Sequence, residues 1–387
     1  MTHQTDSVPS QTLARFKRWF WRPPRAHGDT ILDRRVSPLE SLYDLVYAAV
    51  ISQAALPLEQ HVSAHQTVTF AIVFALIWIA WTNGSLYLEL HGREDGRTRA
   101  FVFVQMVILA LVAVFAATTA GDGGRAFALA YAAFLAVMTW LWYAVQRQDR
   151  VERPEFDVVT GRYVNGLLLS VAVMLVSAVL PVEPRLIAWA AVAVGWIVLV
   201  LLLLNNEAGK TPRITPTESL VERFGLFTII VLGEVVFGVV AGLSAAEHGR
   251  TTIATGLIAL VVGFGFWWIY FDVVGGRLPN RDGRAVANWM VSHCPITLSI
   301  AAAGAGMISL IEHAHDARTP VSTAWLLTGA VAIGLLAMIV AANALDDARR
   351  LAAAYRPLSV VMAGGPWREW VSAGHGRPPG SWPCCSW

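Results

Sequence analysis

Charged side chains are scarce in this chain: Asp, Glu, Lys and Arg make up 14% of its 387 residues, whereas soluble proteins carry about 25%. A soluble protein of this length needs more charge to cover its surface, so a soluble enzyme and a disordered chain are disfavoured. The formal net charge of only +2 offers no basic footprint for nucleic acid. Cysteine is scarce as well, and its three copies form neither a disulfide framework nor a spaced metal motif.

The chain contains long apolar segments instead. Ten of them are long enough for a helix to cross a hydrocarbon core of about 30 Å, which takes about 20 residues. They lie at 41–57, 66–90, 100–120, 125–145, 163–181, 185–204, 219–243, 251–272, 287–311 and 322–344. Their length and their content of Leu, Ala, Val and Phe favour helices over the short alternating strands of a barrel. The sequence therefore predicts an all-α fold, a polytopic transmembrane bundle of about ten helices.

Basic residues alternate between the loops that connect these segments. Clusters of Lys and Arg precede the first segment and follow the second, fourth, sixth, eighth and tenth segments. The intervening loops carry one each at most, namely Arg125, Arg185, Arg250 and Arg318. Because basic loops stay in the cytoplasm, both termini are predicted to be cytoplasmic. Residues 1–40 show no apolar core of a cleavable signal peptide.

Part of the sequence occurs twice. Residues 38–44, Pro-Leu-Glu-Ser-Leu-Tyr-Asp, return at 216–222 as Pro-Thr-Glu-Ser-Leu-Val-Glu, and each copy opens an apolar helix. Two further matches follow in the same order, Trp78-x-x-Trp81-x-Asn83 with Trp267-x-x-Tyr270-x-Asp272, and Asp95-Gly-Arg with Asp282-Gly-Arg. Six helices separate the two starts, so the copies are predicted to run in the same direction as parallel repeats.

This duplication predicts four segments along the chain. A basic cytoplasmic N-terminal segment covers residues 1–36, and a first transmembrane repeat of six helices covers residues 37–210. A second transmembrane repeat, truncated to four helices, covers residues 211–345. A cytoplasmic tail covers residues 346–387.

Glu234 is an acid inside the seventh apolar segment, about 22 Å along a helix and well within the membrane core. Gly238 and Gly242 follow on the same face and predict a close helix contact, so Glu234 is expected to face protein. Arg223 falls on nearly the same side and is its predicted electrostatic partner. Two interpretations stay open: a proton-accepting or cation-coordinating carboxylate, and a neutral, hydrogen-bonded acid that fixes helix packing.

Two pairs of acids open the two repeats, Glu40 with Asp44 and Glu218 with Glu222. Each pair is spaced i,i+4 and shares one helix face, where like charges repel each other. If the two helices meet, the four carboxyls gather at the cytoplasmic mouth as an ion vestibule. The alternative is that the helix dipole stabilises acids in a first turn, with Ser41 and Ser219 as capping residues.

Further polar residues lie near the cytoplasmic ends of the segments. Asn83 and Asp272 occupy equivalent repeat positions beside aromatic residues, which an aromatic belt also explains. His293 is followed by Pro295 and is either a satisfied buried histidine or a proton relay to Glu234. Metal-ligand spacings occur in the predicted outer loops, although such pairs also arise by chance, at His61, His65, His313 and His315.

Several of these motifs together resemble a known family. Residues 40–47, Glu-Ser-Leu-Tyr-Asp-Leu-Val-Tyr, are similar to the acidic and aromatic opening of the bacterial low temperature requirement protein A (LtrA) family. Residues 222–234, Glu-Arg-Phe-Gly-Leu-Phe-Thr-Ile-Ile-Val-Leu-Gly-Glu, resemble its most specific signature, and residues 267–272 and His293 also fit. The resemblance covers about residues 36–345 and implies a multi-helix protein of the bacterial inner membrane, linked by name to growth in the cold. The chain departs from the family pattern in lacking the last expected helices and in its Pro-, Gly-, Trp- and Cys-containing tail.

The duplication and the intramembrane acid predict a secondary transporter or ion-conducting protein, with Glu234 as acceptor, Arg223 as its partner and His293 as relay. One alternative is a membrane-embedded enzyme for lipid or apolar substrates, built from Asp44, Glu222, Asp272 and His293. Another is a stress-related sensor or scaffold without transport. We expect contact with the lipid bilayer and with a small ion or small-molecule substrate, but no nucleic acid and no cofactor. The sequence leaves open whether the protein forms a homo-oligomer.

Overall fold

The computed structural model describes residues 23–28, 34, 36–93, 95–204, 216–246, 249–316 and 318–348. Within these ranges it contains ten helices, all long and apolar enough to cross a membrane. They are α1 (Pro38–Gln60), α2 (Ala64–His91), α3 (Gly96–Ala116), α4 (Gly123–Glu152), α5 (Pro154–Ser177), α6 (Val182–Leu204), α7 (Glu218–Ala245), α8 (Arg250–Val273), α9 (Gly283–Glu312) and α10 (Val321–Asn343). The prediction of an all-α transmembrane bundle of about ten helices is confirmed.

The starts of α1 and α7 are capped by side chains, although not by the residues predicted for this role. Ser37 caps α1 by accepting a hydrogen bond from the Glu40 N–H at 3.3 Å, and Thr217 caps α7 by accepting one from the Leu220 N–H at 3.1 Å. Such side-chain acceptors satisfy N–H groups that have no partner inside the helix. The predicted caps Ser41 and Ser219 are therefore wrong, because both already lie inside the helices.

The helices alternate in direction and give the bundle two sides. The side at which α1, α3, α5, α7 and α9 begin is named the basic side, because the basic loops of the sequence lie there. On this side Gly283 at the start of α9 abuts the Leu204 carbonyl at the end of α6. On the opposite side, the His315 imidazole after α9 meets the Thr252 hydroxyl near the start of α8.

Two helices form the centre of the bundle. The apolar stretch of α9 is 83% buried and that of α2 is 72% buried, against 28% for α6, α8 and α10. Helix α9 packs on α1, α2, α6, α7, α8 and α10, and α2 packs on α1, α4, α6, α7 and α9. The peripheral helices present exposed apolar side chains, such as Phe264, Trp268 and Trp325, as a lipid-facing surface does.

Small residues bring α7 and α9 close together, as the glycine ridge of the sequence predicts. A Cβ atom added to Gly304 would lie 3.3 Å from the Cα atom of Val235, and one added to Gly238 would lie 3.2 Å from the Ile308 side chain. Gly242 packs on Ile311 in the same way. Close packing matters here because lipid tails leave little hydrophobic driving force between helices.

The segment predictions have different outcomes. The ten helices all lie in one compact unit, Met1–Asp346, and of the second unit, Asp347–Trp387, only residues 347 and 348 are described. The predicted N-terminal segment and cytoplasmic tail therefore lie largely outside the described residues. In keeping with a duplication, α1 packs on α2 and α3 as α7 packs on α8 and α9. The division into two repeats stays a prediction.

We predict that Gly304→Leu destabilises the bundle, because the new side chain meets the α7 backbone. Overpacking of this kind costs about 1–3 kcal/mol, which lowers the apparent melting temperature of the detergent-solubilised protein. Gly329→Leu in α10 is the matched control, since a Cβ atom there meets nothing within 4 Å. Equal melting temperatures for the two variants would contradict the close α7–α9 contact.

Candidate functional site

Arg223 is a fully buried arginine in the second turn of α7, with 0% of its surface exposed. Its Nη1 atom lies 3.2 Å from Oε2 of Glu40, and its Nη2 atom lies 3.1 Å from Oδ1 of Asp44. Both carboxylates belong to α1, where the i,i+4 spacing places them on one face. The two ion pairs therefore join α1 to α7 on the basic side.

Arg34 extends this arrangement from the segment before α1. Its guanidinium binds Glu40, with Nη2 2.7 Å from Oε1, and it also forms an ion pair with Glu89 near the end of α2. The Glu89 carboxylate accepts hydrogen bonds from the Ser219 hydroxyl at 2.8 and 2.9 Å and from the Thr217 hydroxyl at 2.7 Å. Glu89 thereby connects α2 to the start of α7.

The ionic network is the set of five charged residues Arg34, Glu40, Asp44, Glu89 and Arg223. It contains three carboxylates and two guanidinium groups, and all five side chains are at most 12% exposed. Arg25 supplies a further positive charge beside it, because its guanidinium donates to the Glu89 carbonyl. Charges can stay buried only when they are paired and hydrogen-bonded in this way.

Aromatic side chains cover the membrane-facing end of the ionic network. The Trp81 indole N–H donates to Oδ1 of Asp44 at 2.9 Å. The Trp81 ring stacks on Phe227 at 4.2 Å and meets Phe224 edge-on at 4.9 Å. These rings give the network apolar neighbours on that side, and ion pairs are stronger in apolar surroundings than in water.

A second polar cluster lies beside the network on the basic side. Residues 23–28 run along the ends of α2 and α4, where the Arg25 carbonyl accepts a hydrogen bond from Nδ1 of His91 at 2.8 Å. His27 contacts both carboxylate oxygens of Asp149 at 3.0 Å. The Thr160 hydroxyl donates to the same carboxylate at 2.7 Å. These contacts attach the segment before α1 to the bundle.

Glu234 lies at the contact between α7 and α1, half-buried, with its carboxyl next to the Ser52 side chain. Glu59 at the end of α1 is close enough to interact electrostatically with Glu234 and with Glu312. The ion pairs of Arg223 are formed with Glu40 and Asp44, about 16 Å along the helix from Glu234. The predicted Arg223–Glu234 partnership is therefore wrong, because both terminal nitrogens of Arg223 bind carboxylates of α1 on the basic side.

His293 is buried and both of its ring nitrogens have partners. Nε2 lies 3.0 Å from the Tyr270 hydroxyl, and Nδ1 lies 2.7 Å from the Trp289 carbonyl. Its ring also meets Phe224 edge-on at 4.8 Å. With both nitrogens occupied, the histidine has the satisfied role that the sequence left open, and a direct relay to Glu234 is not formed.

Asn83 and Asp272 occupy equivalent positions in the sequence but different environments. Asn83 is buried, donates to the Ile79 carbonyl at 2.8 Å and accepts a hydrogen bond from the Tyr163 hydroxyl. Asp272 is exposed at the end of α8 and accepts a hydrogen bond from the Trp268 indole at 2.7 Å. Only Asn83 therefore contributes to the interior of the bundle.

The four carboxyls at the helix starts do not form one vestibule, and that prediction is wrong. Glu40 and Asp44 enter the ionic network, because Arg34 and Arg223 neutralise them. Glu218 and Glu222 are exposed and line a separate cleft of about 440 Å³. The other residues of that cleft are Val221, Gly225, Leu226, Ile229, Phe271, Gly276 and Leu278.

Two of the four candidate metal-binding histidines, which lie on the side opposite the basic side, have local partners. His313 Nδ1 lies 2.8 Å from the Ser309 carbonyl, and His315 Nε2 lies 3.0 Å from the Thr252 hydroxyl. His61 and His65 are exposed. Across the described ranges, no three His, Cys, Asp or Glu side chains are arranged to hold a metal ion.

Residues predicted for an enzyme are likewise placed in separate environments. Asp44 is ion-paired with Arg223, Glu222 and Asp272 are exposed, and His293 is buried against Tyr270. Catalytic groups must lie within hydrogen-bonding reach of a common substrate. The structure does not bring these four together, so it does not favour the enzyme alternative.

Two members of the ionic network are absent from the sequence-based prediction. Glu89 is an acid near the end of an otherwise apolar segment, and a charge there is a signal of a partner. Arg34 belongs to the basic cluster before the first segment, where it indicates topology only. Neither residue type nor spacing shows that the two meet.

Comparison with known proteins bears on this arrangement. Residues 35–367 match the family of the bacterial low temperature requirement A protein (LtrA). The chain belongs to the LtrA family. Every residue of the ionic network except Arg34 lies within the matched range, and so does Glu234. Family membership and ten apolar helices together identify a multi-pass integral membrane protein.

A relative of this LtrA family protein is the uncharacterized protein RA0937 of Rhizobium meliloti (strain 1021). The two are 26% identical over 246 residues, which is 60% of this chain and 57% of the relative. The match therefore spans little more than half the length of that protein. No solved structure matches the chain.

We predict that Arg223→Met destabilises the protein strongly, because it leaves Asp44 and Glu40 buried without this partner. Breaking a buried ion pair costs about 3–5 kcal/mol, measured as the free energy of unfolding. Arg150→Met breaks the exposed pair with Asp157 and is the matched control, with a cost of about 1 kcal/mol or less.

Adding Asp44→Asn and Glu40→Gln to Arg223→Met removes the opposing charges, so part of the lost stability should return. If the single Arg223 variant is as stable as the Arg150 control, the ionic network does not hold α1 to α7.

Proposed function

We propose that this LtrA family protein is a transporter or ion-conducting protein that uses Glu234 as a proton- or cation-accepting group. The proposal depends on one observation. The same α1–α7 contact carries the arginine-paired acids Glu40 and Asp44 on the basic side and an acid next to a hydroxyl, Ser52, deeper in the bundle. Glu40 and Asp44 are thus paired with arginine, whereas Glu234 lies next to a hydroxyl.

The chemistry of Glu234 supports this role. An ionised side chain in mid-membrane costs about 3 kcal/mol or more, so it must be offset by a partner or by function. The carboxylates of the ionic network have arginine partners, whereas Glu234 faces Ser52 and lies near a second carboxyl, that of Glu59. Neighbouring carboxyls favour the binding of a proton or cation between them.

The ionic network supports a barrier on the basic side. Its ion pairs hold α1, α2 and α7 together, and the rings of Trp81, Phe224 and Phe227 pack against one another beside them. A transporter needs such a closure to separate its two openings, and ion pairs between helices can break when the helices move apart.

The proposal also includes the identity of the membrane and the orientation of the protein in it. We infer that the protein lies in the bacterial inner membrane with its basic side and both termini in the cytoplasm, since the basic loops cluster on that side. The two repeats would then be related by an axis along the membrane normal. A role in growth in the cold is implied by the family description alone.

The test is flux into proteoliposomes that contain the full-length protein and a trapped pH-sensitive dye. An imposed proton gradient, with K⁺ or Na⁺ on one side, should change the dye signal for the wild-type protein. Glu234→Gln should abolish this flux, because an amide takes up neither a proton nor a cation as a carboxylate does.

Glu183→Gln is the matched control, since Glu183 is exposed on the opposite side of the bundle. It should retain wild-type flux. Wild-type flux in Glu234→Gln, with both variants folded and incorporated equally, would refute the role assigned to Glu234.

A further inference from the structure

One face of α2 carries buried polar atoms without partners. Trp78, Thr82 and Ser85 are at most 5% exposed, and in the described part of the chain the Trp78 indole nitrogen and the Thr82 and Ser85 hydroxyls make no hydrogen bond. Glu89 of the ionic network continues the same series. The spacing i, i+4, i+7, i+11 places all four on one side of the helix.

Most buried hydroxyls elsewhere in the described bundle behave differently, although that of Thr69 also has no partner. Thr228, Thr297, Ser292 and Ser170 each donate to the carbonyl four residues earlier, at 2.6–2.9 Å. This is the usual way in which a helix satisfies a buried hydroxyl. The hydroxyls of Thr82 and Ser85 can therefore bond to a group outside α2.

Buried polar groups in native proteins have partners, and where protein atoms do not supply them, ordered water does. The chemistry of this face fits water. An indole N–H donates only, whereas each hydroxyl both donates and accepts, so successive water molecules can be bonded along the face. The required two or more polar neighbours per water are supplied by residues one helical turn apart.

The face also has a definite depth. From Glu89 to Trp78 is eleven residues of helix, or about 16 Å, which is about half of a 30 Å hydrocarbon core. Glu89 contacts Ser219 of α7, so both lie at the same level. Eleven residues along α7 from Ser219 is residue 230, about one helical turn short of Glu234.

We propose that this face of α2 lines a hydrated crevice, occupied by a file of water molecules, that leads from the ionic network to the depth of Glu234. It is the basic-side half of the route by which a proton or small cation reaches that carboxyl. This use of the crevice rests on the proposed function, but the presence of water does not.

Radiolytic footprinting of the unmodified full-length protein in lipid tests the crevice. X-rays generate hydroxyl radicals from bound water, so a tryptophan beside ordered water is oxidised faster than a dry one. Trp189 is the matched reference, since it is fully buried and its indole nitrogen donates to Ser177 at 2.9 Å. Trp78 should be oxidised several-fold faster than Trp189.

The double variant Thr82→Val with Ser85→Ala removes the hydroxyls with little change in volume. It should bring the oxidation rate of Trp78 down to that of Trp189. Thr228→Val is the control, because that hydroxyl is already bonded to the Phe224 carbonyl, and it should leave Trp78 unchanged. Equal oxidation rates for Trp78 and Trp189 in the unmodified protein would overturn the proposal of a hydrated crevice.

Dye-detected flux separates this inference from the proposed function. If Trp78 is oxidised rapidly and Glu234→Gln retains flux, the crevice stands and the proposed function fails. If flux depends on Glu234 but the double variant retains wild-type flux, the crevice is not the route. Loss of flux in both Glu234→Gln and the double variant is the expected result.

Discussion

The need to neutralise a buried arginine organises the basic side of this bundle. Arg223 is fully buried at its position in α7, so its charge needs carboxylate partners there. Glu40 and Asp44 meet it, and Arg34 then joins Glu40 to Glu89. Three helices and the segment before α1 are held in register by one continuous set of ion pairs, whose geometry depends on all of its members.

Packing of the membrane-embedded part follows a different constraint. Lipid offers apolar surroundings everywhere, so helices gain from association only through close fit and polar contacts. Glycines at 238, 242 and 304 allow α7 and α9 to approach, and α9 thereby becomes the most buried helix. The ionic network and this glycine contact lie at different depths of α7, so the helix is anchored at both.

Equivalent positions of the predicted repeats have separated in role. Glu40 and Asp44 are buried and paired, whereas Glu218 and Glu222 line an exposed cleft. Trp81 donates to Asp44, while its counterpart Tyr270 pairs with His293. The difference arises because Arg34 and Arg223 both face α1. Similar residues of the matching motifs thus lie in two different environments, and their neighbours decide their chemistry.

The sequence by itself determined the number and approximate position of the apolar helices, because hydrophobicity and segment length are local properties. It also singled out Glu234, and it placed the glycine ridge at 238 and 242. Only the tertiary structure decided which charges meet. Arg223 pairs with residues of α1, and Glu89 with Arg34 and Ser219, because helices far apart in the chain become neighbours. Ion pairing depends on distances of a few ångströms, and those are set by packing, which no spacing along one helix reveals.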